Sequence, residues 1–197
     1  MGSVRKDWAF FVTVDLPLFS DMPLSFPRPN GAKFLLLSVL IIVLDQITKY
    51  LCVFNIPYNT RGIEVLPFFN IIHVYNYGAA FSMFASWDGA QRILLSAIAI
   101  IMAAIFTVVL LRTKRELKWH CLSYALFIGG AIGNLIDRLI HGYVIDFLLF
   151  YLQDESGRIT WAYPAFNVAD IAVCCGAALL VILAIFHKDQ DKTQASA

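Results

Sequence analysis

Charge is scarce in this 197-residue sequence: 15% of its residues are Asp, Glu, Lys or Arg, against 59% that are hydrophobic. A soluble domain of this length needs far more charge to cover its surface, so the bilayer is the natural solvent. The mean hydropathy of +0.71 says the same. Neither sign of charge is in excess, with a formal net charge of +1, which gives nucleic acid nothing to bind. Cysteine is sparse as well. Cys52, Cys121, Cys174 and Cys175 lie inside apolar runs with no CxxC or Cys/His spacing, which argues against a zinc site and a disulfide framework. His73, His120, His141 and His187 are scattered without ligand spacing, so no metal and no cofactor is expected. Internal repeats and low-complexity tracts are missing too.

What the sequence has is long apolar runs. A membrane helix needs about 20 mostly apolar residues, and four stretches qualify, at roughly 33–53, 91–111, 120–140 and 165–186. The second is the cleanest, and the other three carry ionisable or amide side chains towards one end. Between the second and third runs lies Arg112-Thr-Lys114-Arg115-Glu-Leu-Lys118, short and strongly positive, which should face the cytoplasm. Both termini then lie inside as well, in keeping with Arg28 and Lys33 before the first span and Lys188 and Lys192 after the last. The expected fold is a membrane α-helical bundle of four spans, N-in and C-in, in a domain covering 33–187. An N-terminal extension, 1–32, and a cytoplasmic tail, 188–197, flank it.

The outward connections, about 54–90 and 141–164, do not read as linkers. Ile71-Ile-His-Val-Tyr-Asn76 and Tyr143-Val-Ile-Asp-Phe-Leu-Leu-Phe-Tyr-Leu152 are rich in β-branched and aromatic residues. The second run meets a turn signal at 154–157 and returns through 158–163, so a hairpin is expected, part of a small sheet against the headgroups where Trp and Tyr are comfortable. Residues 1–32 hold four prolines and no run long enough for a signal-peptide core. Met22 is a candidate for the original start, with an added leader before it.

Polar side chains inside membrane helices are costly and default to a functional reading. Counting from the cytoplasmic end at about 1.5 Å per residue, Asp45 lies about 17 Å along the first span, and Asn134, Asp137 and Arg138 roughly 20–27 Å along the third. Asn167 and Asp170 stand in the first turns of the fourth. All should meet in the outer third of the membrane, in a polar pocket open to the outer surface. Asn134, Asp137 and Arg138 share a helical face, as do Asn167 and Asp170, and Asp45 and Lys49. Gly129, Gly130, Gly133, Ala169 and Gly176 would permit close helix contact. Asp146 stands apart, in the apolar strand Val144-Ile-Asp-Phe-Leu. An unpaired carboxylate there would cost several kcal/mol. Paired with Asp170, it makes a dyad that retains a proton, so one carboxylate can activate water while the other polarises a carbonyl.

The segments Asp45-Gln-Ile-Thr-Lys49, Asn76-Tyr-Gly-Ala-Ala-Phe81, Gly129-Gly-Ala-Ile-Gly-Asn-Leu-Ile-Asp-Arg138, Val144-Ile-Asp-Phe147 and Phe166-Asn-Val-Ala-Asp170 resemble the ordered signature blocks of lipoprotein signal peptidase (signal peptidase II). One block alone would be weak evidence, but five in order within a four-span protein are specific. The resemblance implies a bacterial inner-membrane aspartyl endopeptidase. Such an enzyme removes the signal peptide of a prolipoprotein just before its diacylglyceryl-cysteine, with its site on the outer side. By motif match, Asp146 and Asp170 are the catalytic aspartates. Asn76, Gly78, Asn134, Arg138 and Asn167 hold substrate or support the dyad, and Asp45, Lys49, Gly130, Asp137, Val144 and Ala169 are further signature positions. The resemblance also implies an outward sheet, a short periplasmic helix, contact with membrane lipids and binding of the inhibitor globomycin. A single bundle of this kind is expected to work as a monomer. The departures are the leader and a long turn at 153–158.

Plainer readings stand beside these. Asp45 and Lys49 would neutralise one another, Asp137 beside Arg138 would form a structural ion pair or an orienting group, and Asn76 and Asn167 would cap turns or helices. A small channel or proton-coupled transporter competes on spacing alone, since membrane carboxylates also mark ion paths. A non-catalytic scaffold is the third reading, in which Asp146 and Asp170 would tolerate Asn. Against a transporter, the polar groups gather at one depth and the inner halves of the spans leave no conduit.

Overall fold

The computed structural model describes residues 31–78 and 89–195. A single 3-10 turn, Ala32–Phe34, leads into helix α1, Leu35–Asn55. Strands β1, Ile63–Leu66, and β2, Phe69–Asn76, follow. Helices α2, Ala90–Arg112, and α3, Lys118–Ile140, come next. Strands β3, Val144–Gln153, and β4, Ile159–Ala162, precede helix α4, Val168–Ala195. Four helical segments, Ala32–Asn55, Ala90–Arg112, Lys118–Ile140 and Val168–Phe186, are long and apolar enough to cross a membrane. At 19 to 24 residues they match the hydrocarbon thickness of about 30 Å. The four spans expected from the sequence are present, with ends moved by a few residues. The fourth begins at Val168 rather than near 165, because Asn167 supplies the cap and so fixes the helix start.

Helix α3 is the axis of the bundle, packed on α1, α2 and α4, and it is the most buried of the spans. Two glycines explain how closely α4 approaches. A Cβ on Gly130 would strike the carbonyl oxygen of Ala169, and one on Gly133 would lie 2.8 Å from Asp45 Oδ2 and 3.1 Å from Ala169 Cβ. Small residues thus let the backbones meet where no hydrophobic drive between helices exists. Hydroxyls add cross-links: Ser38 Oγ donates to Ala125 O at 2.8 Å and Ser123 Oγ to Gly176 O at 2.7 Å.

The four strands form one antiparallel sheet in the order β1-β2-β3-β4. The expected hairpin is β3–β4, its long turn closed by Asp154 Oδ1, which accepts from Ser156 N and Oγ and from Arg158 N. The sheet also contains β1, which its short sequence of four residues did not signal. The central pair β2–β3 joins distant parts of the chain, with Asn76 opposite Val144 and Val74 opposite Asp146. Tyr58, Tyr75 and Tyr143 stack across it at 4.3 and 4.0 Å. Most of the N-terminal extension, with Met22, and the connection 79–88 lie outside the described residues. Among the described residues no counterpart of the short periplasmic helix occurs.

Candidate active site

Strand β3 opens with four buried residues in a row, Val144, Ile145, Asp146 and Phe147, because this strand pairs with β2 and packs on helices α1 and α3. Val144 sets the register against Asn76. Asn76 lies two residues beyond Val74, the partner of Asp146, and so falls on the same face of the sheet. Its Nδ2 donates to Asp146 Oδ2 at 3.0 Å, while its Oδ1 accepts Gly78 N at 3.0 Å. Asn76 therefore both supports the carboxylate and caps the turn at buried Gly78.

Asp170 arrives from the other side, on the first turn of α4. Asn167 is the residue that caps this helix: its Oδ1 accepts Asp170 N at 3.0 Å, and Asp170 Oδ2 accepts Asn167 N at 3.2 Å. The exchange is a capping box, in which two donors orphaned at the helix start satisfy two side chains. It leaves Asn167 Nδ2 free to reach across to Asp146 Oδ1 at 2.7 Å, with Ile145 O at 3.3 Å and Asn134 Oδ1 at 3.1 Å. One buried asparagine thus ties the strand carboxylate to the helix carboxylate. Burial first, and then the charge of Asp170, push the Asp146 carboxyl up to about 7, against the amides of Asn76 and Asn167 and the Lys49 ammonium.

Helices α1 and α3 complete the site from beneath. Asn134 Nδ2 donates to the remaining Asp170 oxygen at 2.7 Å. Asn134 Oδ1 receives Lys49 Nζ at 3.0 Å. Lys49 also pairs with Asp45 Oδ2 at 2.8 Å and Asp137 Oδ2 at 2.9 Å, and all three charges are almost completely buried. The two carboxylates have second tasks. Asp45 Oδ1 accepts Ala169 N at 2.9 Å, one of the orphan donors of α4, and Asp137 Oδ2 accepts Ile145 N at 3.0 Å. Signature residues on two helices therefore hold, by backbone hydrogen bonds, the two segments that carry the aspartates.

The structure brings together every site residue expected from the sequence, and corrects one pairing. Asp137 does not pair with Arg138; its ion pair is with Lys49 on α1. Adjacent residues on a helix point about 100° apart, so Asp137 turns to α1. Arg138 Nη1 donates to Asn134 O at 3.3 Å, with its charge felt by Asp170, Asp146 and Asp137. Nor do Asp45 and Lys49 merely neutralise one another, since both reach beyond the pair. Gln46 was missed: its Nε2 reaches Asp137 Oδ1 at 3.0 Å and Gly133 O and Asp45 Oδ2 at 3.2 Å. Its place inside the Asp45–Lys49 block was the available signal. A cavity of about 220 Å3 opens beside the site, floored by Lys49, Asp137 and Gln46 and reaching exposed Tyr50 and Val53 on α1. Neither Asp146 nor Asp170 lines it. Among the described residues no group of three His, Cys, Asp or Glu is arranged to hold a metal ion.

A family model described as signal peptidase (SPase) II matches residues 37–186, a span that holds both aspartates and every polar group around them. The chain belongs to the signal peptidase II family. The lipoprotein signal peptidase of Pseudoalteromonas atlantica is 48% identical over 163 residues, covering 82% of this chain and 94% of that one. That of Tolumonas auensis is 43% identical, covering 83% and 96%. A solved bacterial membrane enzyme, determined by the in meso method at 2.3 Å resolution, superposes with a TM-score of 0.69 at 26% identity, covering 81% of this chain and 91% of that one. As a member of signal peptidase II, the chain is a multi-pass membrane protease of the aspartic class. It removes signal peptides from prolipoproteins. The channel and scaffold readings fall with that assignment.

Proposed function

We propose that Asp146 and Asp170 are the catalytic dyad of this peptidase, and that it cuts just before a diacylglyceryl-modified cysteine. The observation that carries the reading is the bridge made by Asn167, whose amide and cap bind one aspartate each. Two carboxylates held this way share a proton. The ionised one takes a proton from water as the oxygen attacks the scissile carbonyl, and the protonated one donates to the carbonyl oxygen. Collapse of the tetrahedral adduct breaks the C–N bond as the leaving nitrogen receives a proton.

In this reading Asn76, Asn134 and Asn167 position the dyad. Gly78 keeps the turn after β2 tight, and Arg138 offers its cation to substrate oxygens. Asp45, Lys49, Gly130, Asp137, Val144 and Ala169 frame the site. The basic segment between α2 and α3, Arg112 to Lys118, lies inside by the positive-inside rule. The sheet and the dyad then face the outer side of the bacterial inner membrane, with both termini in the cytoplasm. At the outer headgroup level the acyl chains of a substrate cysteine can stay in lipid while the peptide enters the site. Residues 33–187 form the working unit, active as a monomer, and globomycin would compete with the lipidated substrate.

The test is cleavage of a diacylglyceryl-modified prolipoprotein by the detergent-purified protein, followed as loss of the signal peptide on a gel. Cleavage should require the lipid and vanish in folded Asp146→Asn and Asp170→Asn variants. Wild-type rates in either variant would end the dyad reading, and equal cleavage of the unlipidated precursor would end the lipid requirement.

A further inference from the structure

Lys49 is buried at 2% exposure, and its ammonium has three N–H bonds to place. They go to Asp45 Oδ2, Asp137 Oδ2 and Asn134 Oδ1, at 2.8, 2.9 and 3.0 Å. The first two acceptors leave the ammonium no slack, since each carboxylate is itself anchored to a backbone N–H, of Ala169 or Ile145. The third has a consequence for the dyad. An ammonium has no acceptor, so the Asn134 amide can face Lys49 only with its oxygen. Its nitrogen must then face Asp170, where it donates at 2.7 Å. Were the amide turned over, two acceptors would meet at that distance unless the Asp170 carboxyl carried a proton between them.

We propose that Lys49 is a positioning residue for the reaction: by fixing, together with Asn167 Nδ2, which way the Asn134 amide points, it keeps Asp170 in the form that accepts the proton of the attacking water. The inference rests on the dyad reading above and deepens it. Lys49 pairs with neither dyad aspartate among the described ion pairs, so it acts through Asn134 and through its field. The charged and titratable groups around it are Asp45 on α1, Asp137 and Arg138 on α3, Asp146 on β3 and Asp170 on α4. Tyr75, His141 and Tyr143 line the cavity above it. Of these, only Asp45 and Asp137 touch the ammonium directly. Removing it takes away a cation and one of the two donors that hold the Asn134 oxygen, the other being Asn167 Nδ2 at 3.1 Å, and both changes favour a protonated Asp170.

The experiment is the pH profile of kcat/KM on one lipidated prolipopeptide for the wild type, Lys49→Met, Lys49→Arg and the double variant Lys49→Met/Asp45→Asn. The double variant removes one charge of each sign, so it stays folded if the single change strands the two carboxylates. The methionine variants should lose at least about tenfold in kcat, with KM little changed. Their acidic limb should move to higher pH, by about one unit or more in Lys49→Met and by less in the double variant, where the lost Asp45 charge offsets part of the lost cation. Lys49→Arg, which keeps the cation, should hold its limb near the wild-type position. A merely structural role predicts the opposite: lower activity at every pH with the limb unmoved. That result in the double variant overturns the proposal, as does an equal shift in Lys49→Arg. Full activity in Asp146→Asn or Asp170→Asn, run alongside, overturns the dyad reading itself, whatever Lys49 does.

Discussion

Asn167 has two occupations that one substitution can separate. As the cap of α4 it offers Oδ1 to Asp170 N, and as the bridge it offers Nδ2 to Asp146, Asn134 and Ile145. Serine caps helices about as well as asparagine, but its single hydroxyl cannot serve the helix start and also reach across to strand β3. Asn167→Ser should therefore keep the fold and lose the bridge. The lost contact is a 2.7 Å amide hydrogen bond to a buried carboxylate, a class worth about 1.5–3 kcal/mol. If that is expressed in the barrier, kcat falls roughly 10- to 150-fold at 1.36 kcal/mol per decade. Asn167→Ala should cost a further ~1 kcal/mol of stability from the missing cap. Thermal unfolding in detergent and cleavage of a lipidated precursor are measured on the same preparations. An Asn167→Ser protein that cleaves within about threefold of wild type would show that the bridge contributes little, and the reasoning from Asn167 to the dyad would fail.

Asp146 gives a pH dependence with a definite sign. Its folded pKa of about 7 lies above the ordinary 3.8, so the native state binds the extra proton between those values, and stability falls as pH rises from about 4 to about 7. Asp146→Asn should raise the unfolding temperature relative to wild type more at pH 8 than at pH 4; an equal difference at both would refute the shift. Cleavage should decline above about pH 7, where the dyad loses its last proton, with an apparent value that belongs to the pair. Gly130→Ala places a methyl against the Ala169 carbonyl and Val173. Overpacking of this kind costs about 1–3 kcal/mol, and because Ala169 precedes Asp170 the cleavage rate should fall as well. A variant as stable and active as wild type would show that α3 and α4 are free to separate there.

The sequence made the parts of this site legible where burial and polarity conflict. Asp146 inside Val-Ile-Asp-Phe-Leu can be read directly, because a carboxylate in so apolar a strand demands a reason. The four spans follow from run length, and the hairpin β3–β4 from a turn between two aromatic runs. What could not be read is which neighbour each polar group chooses. Asp137 next to Arg138 suggests a pair by adjacency, yet helix geometry turns them apart, and the partner is 88 residues away on α1. The pairing of β2 with β3 is likewise set by three-dimensional arrival, not by a local turn. The capping box at Asn167 and Asp170 had a legible spacing, i and i+3, but the same spacing also fits two residues facing a common pocket. Only the bond from each side chain to the other's backbone N–H decides between these readings.

The charge balance of the buried cluster also bears on the dyad. Among the described residues, Asp45, Asp137, Asp146 and Asp170 gather around two cations, Lys49 and Arg138. Lys49 is committed to Asp45 and Asp137, a group that already carries one negative charge in excess. What remains for the dyad is half-buried Arg138 and a set of neutral donors: three asparagine amides and one backbone N–H. Neutral donors stabilise a carboxylate but do not cancel its charge, and a second uncompensated anion in a low-dielectric site is costly. A proton shared between Asp146 and Asp170 lowers the net charge of the cluster from −2 to −1 without bringing in another cation. The ion pairing that holds α1 to α3 thus also disfavours the doubly ionised dyad. Peptide hydrolysis by two aspartates needs that same shared proton at the start of each turnover.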